Sequence, residues 1–76
     1  MNWLAKDNKL TKAFEFKDFI EAFSFLSKVA LLAEKHDNHP EIFNVYNKVE
    51  LSLQTHDAAN TITQKDYDLA DAIDAL

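Results

Sequence analysis

The hydrophobic pattern at the start of the chain predicts a β-hairpin. Residues 3–5 form a short apolar run, and residues 6–8, Lys-Asp-Asn, are typical of a turn. Residues 10–16 are typical of a strand, which places Phe14 on the same face as Leu10 and Phe16. We therefore expect two antiparallel strands joined by a tight turn.

The longest periodic segment predicts a helix that begins at the N-cap Asp18 and ends near His36. Its apolar stripe consists of Phe19, Ala22, Phe23, Leu26, Val29, Ala30 and Ala33. Four more apolar residues widen the arc beyond what one sheet face covers: Ile20, Phe25, Leu31 and Leu32. This surplus predicts a contact between subunits.

A second hairpin is predicted after Pro40, which ends the helical region, with strands over residues 42–46 and 49–54. Pairing Val45 with Leu51 would bring apolar residues together, as would pairing Phe43 with Leu53. That register requires an odd-length turn centred near Lys48.

The chain then shows the form of a helix capping box over residues 63–66, Thr-Gln-Lys-Asp, followed by apolar residues at helical spacing. Asp66 has a structural explanation as the third residue of that box. The element order is β-β-α-β-β-α in one domain, residues 1–76. Hairpins alternating with helices predict an α+β fold, a four-stranded antiparallel sheet with the helices packed on one face.

Composition narrows the function. A chain of 76 residues buries a thin core, and without cysteine it has neither disulfides nor thiolate metal sites, so oligomerisation is the expected source of extra stability. The net charge of −5 with scattered Lys and Arg argues against nucleic-acid binding. The absence of glycine excludes the Walker loop and the dinucleotide fingerprint. No segment is apolar enough to span a bilayer and the first residues do not read as a signal peptide, which predicts a cytoplasmic protein without membrane contact.

Three histidines are the candidates for chemistry: His36, His39 and His56. Histidine can give and take a proton near neutrality because its unperturbed pKa is about 6.5. Glu34 and Asp57 are nearby carboxylates that could fix an imidazole tautomer or accept a ligand's N–H groups. A histidine at a helix end is more often a dipole partner or solvated, which suits His36 best. A zinc site of the three histidines is a weaker alternative, since H-x-x-H with one distant histidine is unspecific.

The chain resembles the pterin-4a-carbinolamine dehydratases over nearly its whole length. Residues 34–49 read EKHDNHPEIFNVYNKV, and the order and spacing of Glu34, His39-Pro40, Tyr46, Thr55-His56 and Asp66 match the family signature. Trp3, Leu10 and the segment 14–19 also match. We expect residues 1–76 to hold no counterpart of the N-terminal helix that is common in the family.

The resemblance implies dehydration of 4a-hydroxytetrahydropterin, a product of aromatic amino acid hydroxylases, to quinonoid dihydropterin. It implies no metal or organic cofactor, and a homodimer or homotetramer. It assigns His39 and His56 as the acid/base pair. Pterin binding would fall to Glu34, Asp37, Asn38, Thr55 and Asp57.

Two positions depart from the family pattern. The first of two adjacent family histidines is replaced by Asn38, which can hydrogen-bond but cannot exchange a proton near neutral pH. The glycine-containing loop after Thr-His is replaced by residues 58–61, Ala-Ala-Asn-Thr, in which Asn60 can supply a left-handed conformation. Because of Asn38, a non-enzymatic binding, dimerisation or assembly module on the same scaffold remains the alternative function.

Overall fold

The computed structural model describes residues 2–76, so Met1, the first residue of the predicted domain, lies outside the described part. The elements in chain order are β1 (Leu4–Lys6), β2 (Lys9–Glu15), α1 (Phe19–His36), β3 (Glu41–Val45), β4 (Lys48–Leu53) and α2 (Gln64–Asp74). All neighbouring strands are antiparallel, in the order β1-β2-β4-β3. The predicted element order and the α+β class are confirmed.

The first hairpin forms because two residues accept a left-handed backbone. Asp7 and Asn8 have φ of 52° and 61° and connect β1 to β2 as a two-residue turn. Asp and Asn tolerate this region better than most residues. Asp7 and Asn8 therefore allow β1 to pair directly with β2, with Leu4 opposite Thr11 and Lys6 opposite Lys9.

The predicted register of the second hairpin is wrong. Val45 lies opposite Lys48 and Phe43 opposite Glu50, so the turn has two residues and not an odd number. Tyr46 makes this possible by adopting a φ of 50°. Asn47 anchors the turn to the end of β2 through two hydrogen bonds. The backbone N–H of Phe16 donates to the backbone carbonyl of Asn47 at 2.8 Å, and the side-chain Nδ2 of Asn47 donates to Phe16 O at 2.9 Å.

The corrected register decides which side chains face the helices. Leu10, Val49, Leu51 and Leu53 lie on the inner face and are buried. Strand alternation then places Phe43 on the open face of the sheet, opposite Glu50. A pairing of Phe43 with Leu53, as predicted, would have buried it.

The buried stripe of α1 is narrower than predicted and is shifted around the helix. Its buried members are Ala22, Leu26, Val29 and Ala33. Phe25 and Leu32, which were predicted to be surplus, pack against the core. Phe19, Phe23 and Ala30 are exposed instead.

Two residues of the predicted surplus stay on the surface: Ile20 is 76% exposed and Leu31 is 73% exposed. The core itself combines α1 with Leu69, Ala70 and Ile73 of α2 and with the inner face of the sheet. Within residues 2–76, neither helix has the length and apolar character that would be needed to cross a membrane.

Candidate functional site

The C-terminal cap of α1 determines the direction of the segment that carries the candidate residues 37–39. Asp37 is the C-cap with a left-handed φ of 48°, and the N–H of Asn38 donates to Ala33 O at 3.0 Å. Such a cap stops the helix and turns the chain sharply. The residues after it, Asn38 and His39, therefore leave the helix axis at one end of the sheet.

His39 is paired with a carboxylate of the last helical turns. Its Nε2 is hydrogen-bonded to Glu34 Oε2, and both side chains are largely exposed. A carboxylate in this position selects one imidazole tautomer and limits rotation of the ring. Glu34 thus orients a group that can exchange protons while leaving it accessible to a ligand.

Asn38, next to His39, points the other way and is only 5% exposed. Its Nδ2 donates to Asp66 Oδ1 at 2.8 Å. Asp66 belongs to the first turn of α2 and is fully buried. The segment after α1 is therefore tied to the beginning of α2.

The end of β4 is held by the same carboxylate. Thr55, which is buried, donates from Oγ1 to Asp66 Oδ2 at 2.8 Å, and its Oγ1 lies 2.6 Å from Thr63 Oγ1. The backbone N–H of Thr63 donates to Asp66 Oδ2 at 2.9 Å, which completes the predicted capping box. The segment after α1, the end of β4 and the first turn of α2 are thus joined by hydrogen bonds to the Asp66 side chain.

His56 and Asp57 follow Thr55 in a short 3₁₀ turn, His56–Ala58, and both are exposed. Thr55 pairs with Thr61, and its N–H donates to Thr61 O at 2.8 Å, so the loop between them is closed at its base. Asn60 has φ of 57°, which confirms the expected left-handed residue, and Ala59 is left-handed as well at 59°.

The structure therefore presents the candidate residues as two pairs of sequence neighbours, Asn38 with His39 and Thr55 with His56. Asn38 and Thr55 share Asp66, and the histidines His39 and His56 are the next residues in the chain after each of them. His36 lies within the last turn of α1 and belongs to neither pair.

Two residues at this end of the sheet were not predicted as part of the site. Asp66 belongs to the family signature but was given a structural explanation as a helix cap, and its burial and its bonds to Asn38 and Thr55 have no local sequence signal. Lys65 donates from Nζ to Asp37 O at 2.8 Å, a second link between α2 and the segment after α1. Across residues 2–76, no group of three or more His, Asp or Glu side chains is arranged to hold a metal ion.

Comparison with known proteins identifies the family. The sequence model described as pterin 4 alpha carbinolamine dehydratase matches residues 1–76. This chain belongs to the pterin-4a-carbinolamine dehydratase family. A relative in Prochlorococcus marinus (strain NATL2A), provisionally named as a pterin-4-alpha-carbinolamine dehydratase, is 52% identical over 75 residues, covering 99% of this chain and 78% of the relative.

Two solved structures share the fold. A Brucella melitensis protein described as a transcriptional coactivator/pterin dehydratase superposes with a TM-score of 0.89 at 44% identity, over 96% of this chain and 79% of that one. A pterin dehydratase-like protein, identified as a RuBisCO assembly factor in the alpha-carboxysome, has a TM-score of 0.79 at 24% identity, over 99% and 88% of the two chains. At that identity the second likeness supports the fold of this dehydratase-family chain and nothing more.

Proposed function

We propose that this chain dehydrates 4a-hydroxytetrahydropterin to quinonoid dihydropterin by general acid/base catalysis, with His39 and His56 as the acid/base pair. Support comes from the family match over the whole chain and from the provisional dehydratase name of a 52% identical relative. Four signature residues, Glu34, His39, Thr55 and Asp66, are also linked directly or through a neighbouring residue at one end of the fold, whereas Tyr46 lies in the turn at the opposite end of β3.

The reaction needs one proton donor and one proton acceptor. The donor protonates the C4a hydroxyl so that it leaves as water, and the acceptor removes the proton from N5. The electron pair of the N5–H bond forms the C4a=N5 double bond, so no net proton is consumed. Each correctly placed acid or base contributes on the order of 10² to 10⁴-fold in rate. Two histidines suffice for both roles.

One observation carries the proposal: Asn38 and Thr55, the residues before the two histidines, are bonded to the same carboxylate of Asp66. This contact keeps the His39 and His56 segments at one end of the sheet. Glu34 supplies the partner that orients His39. We propose that both imidazoles act on one bound ligand.

The remaining candidate residues fall into two groups. Asp37 and Asp57 are exposed carboxylates, suited to accept hydrogen bonds from the N–H groups of a pterin ring. Thr55 directs its only hydroxyl hydrogen to Asp66, so we propose that any contact it makes with pterin is through an oxygen acceptor or through the backbone. Asn38 directs one amide hydrogen to Asp66 and retains a second N–H and its oxygen for such a contact.

The direct test is turnover of freshly generated 4a-hydroxytetrahydropterin by the purified protein, measured against the spontaneous rate. Acceleration that saturates with substrate supports the proposal. Binding of pterin without acceleration would replace the enzyme by the alternative below.

The alternative is a non-enzymatic binding or assembly module, and Asn38 is the observation that favours it. A family histidine is replaced here by a residue that cannot titrate, and the Brucella relative is described as a coactivator as well as a dehydratase. The substitution Asn38→His separates the two functions. An enzyme is expected to keep or raise its turnover, because an imidazole N–H at position 38 can donate to Asp66 in place of the asparagine amide. A binding module would gain turnover only after the substitution.

We further propose that the chain acts as a homodimer or homotetramer. β3 is an edge strand whose Phe43 is 63% exposed, and Ile20 and Leu31 of α1 are also uncovered. An exposed edge strand beside apolar side chains favours association. The aromatic amino acid hydroxylase as pathway partner and the cytoplasmic location stay predictions.

A further inference from the structure

Asp66 has more hydrogen-bond partners than its place in a helix cap explains. A capping box uses one bond from the acid to the N-cap N–H, here the bond from Thr63 at 2.9 Å. Asp66 also accepts from Asn38 at 2.8 Å and from Thr55 at 2.8 Å. The two extra donors come from outside α2, 28 and 11 residues away in the chain.

The directions of these hydrogen bonds are mutually consistent. The N–H of Lys65 donates to Thr63 Oγ1 at 3.3 Å, which leaves the Thr63 hydroxyl hydrogen free to donate to Thr55 Oγ1. Thr55 in turn directs its own hydrogen to Asp66. Each hydroxyl therefore donates once, and the chain of hydrogen bonds from Lys65 through Thr63 and Thr55 ends on the Asp66 carboxylate.

Burial makes the carboxylate costly unless all its partners remain in place. Asp66 is 0% exposed, and a buried carboxylate is strongly destabilising when it loses a hydrogen-bond donor. Moving Asn38 or Thr55 away from Asp66 is therefore unfavourable, because it would leave the buried carboxylate without one of its hydrogen-bond donors. The loop after α1 and the end of β4 are held in one relative position.

We propose that Asp66 is a positioning residue for the dehydratase site, holding the His39 segment through Asn38 and the His56 segment through Thr55. This inference rests on the proposed function, since it concerns the placement of the acid/base pair. Asp66 touches neither imidazole and acts only through its neighbours. Its loss should lower kcat more than it raises KM, because misplaced acid/base groups mainly affect the transition state.

The substitution Asp66→Asn separates the positioning role from the cap. The new NH₂ group cannot replace Oδ2, because it would face the Thr63 N–H, which is also a donor. It therefore takes the Oδ1 position and faces the Asn38 amide, and the bond is lost as long as that amide keeps its orientation. The cap and the Thr55 contact survive. Asn38→Ala, which removes the donor and leaves no amide that could turn over, is measured beside it.

Asp74→Asn is the matched control. Asp74 lies on the same helix and accepts side-chain hydrogen bonds from Trp3 and Lys12, far along the chain from both histidine segments. Its substitution removes the same charge from α2 and weakens a tertiary contact. We expect it to leave kcat within about twofold, whereas Asp66→Asn lowers kcat by roughly 10- to 100-fold, the range expected for a small misplacement of catalytic groups.

A double substitution that restores the hydrogen bond between positions 38 and 66 tests whether that bond positions the site. In the double substitution Asn38→Asp with Asp66→Asn, donor and acceptor exchange places and the contact can form again. We expect kcat of the double variant to exceed that of Asp66→Asn, while Asn38→Asp alone places two carboxylates together and is worse than the double variant. If the double variant is no better than either single one, the Asn38 contact does not position the site.

Histidine ring signals in NMR spectra provide a readout independent of turnover. Asp66→Asn should shift the His39 resonances and weaken binding of a stable 7,8-dihydropterin, whereas Asp74→Asn should change neither. If the unsubstituted protein shows no turnover, the proposed function fails, and these shifts still test the positioning role. Unchanged kcat and unchanged histidine signals in a folded Asp66→Asn variant would overturn it.

A second variant covers the case in which Asp66→Asn does not fold. Thr55→Val keeps the shape of the side chain but removes the hydroxyl that donates to Asp66. We expect the His56 resonances to shift more than those of His39, with kcat reduced. Equal, negligible shifts of both histidines would refute the role of the carboxylate.

Discussion

The indole N–H of Trp3 donates to both carboxylate oxygens of Asp74, 71 residues along the chain, at 3.1 Å each. The ammonium group of Lys12 lies 2.8 Å from the same carboxylate and 5.8 Å from the centre of the indole ring. This contact joins the segment before β1 to the last turn of α2. It also explains why a lysine is accommodated on the inner face of β2.

Trp3→Phe should destabilise the protein, because it keeps a buried ring but removes the N–H donor. We expect the free energy of unfolding to fall by about 1–2 kcal/mol, the usual contribution of a hydrogen bond to a charged group. Urea unfolding measures it. A cycle with Asp74→Asn provides the control: if the double variant costs the sum of the single ones, the two residues do not interact.

His39→Ala and His56→Ala should each lower turnover by on the order of 10² or more, because each removes one proton carrier. His36→Ala is the matched control, since His36 lies within α1 and belongs to neither pair, and it should cost little. The measurement is kcat and KM on one preparation of 4a-hydroxytetrahydropterin. A large loss with His36→Ala and none with the other two would reverse the assignment.

Glu34→Gln should reduce kcat by roughly 10-fold, less than removal of an imidazole, because the ring keeps its chemistry but loses its charged orienting partner. The substitution preserves the size of the side chain on an exposed surface, so stability should change little. Thermal unfolding checks this point beside the kinetics. If Glu34→Gln acts independently of His39→Ala in the double variant, Glu34 does not work through that histidine.

The purified protein should be at least a dimer at micromolar concentration by light scattering. The double substitution Phe43→Ser and Val45→Ser removes two exposed apolar side chains from the edge strand β3 and should shift the population toward monomer. Tyr67→Ser, a change to another exposed ring on α2, is the control and should leave the mass unchanged. A stable monomer before any substitution would contradict the proposed assembly.

Ala59→Gly should raise the free energy of unfolding by roughly 0.5–1 kcal/mol, because alanine carries a steric penalty at its φ of 59° that glycine avoids. Asn60→Gly is the control at the neighbouring left-handed residue. Asparagine tolerates this region, so its gain should be smaller. A loss of stability with Ala59→Gly would mean that its methyl group contributes packing that outweighs the strain.

The chain sequence by itself determined the features that depend on neighbouring residues. The element order, the N-cap at Asp18 and the capping box at Thr63 and Asp66 were all predicted and are all present. Each depends on contacts within one or two helical turns, or on a periodicity visible in a short window. The family was predicted from residue spacing and is confirmed by the match over residues 1–76.

Only the tertiary structure decided three other features. The register of the second hairpin depends on the left-handed φ of Tyr46, a conformation that an aromatic residue does not signal. The buried side of α1 depends on where α2 and the sheet pack, which leaves Phe23 exposed and Phe25 covered. The convergence on Asp66 joins residues whose separation in sequence hides their contact, because hydrogen bonds between distant segments form only once the core has brought those segments together.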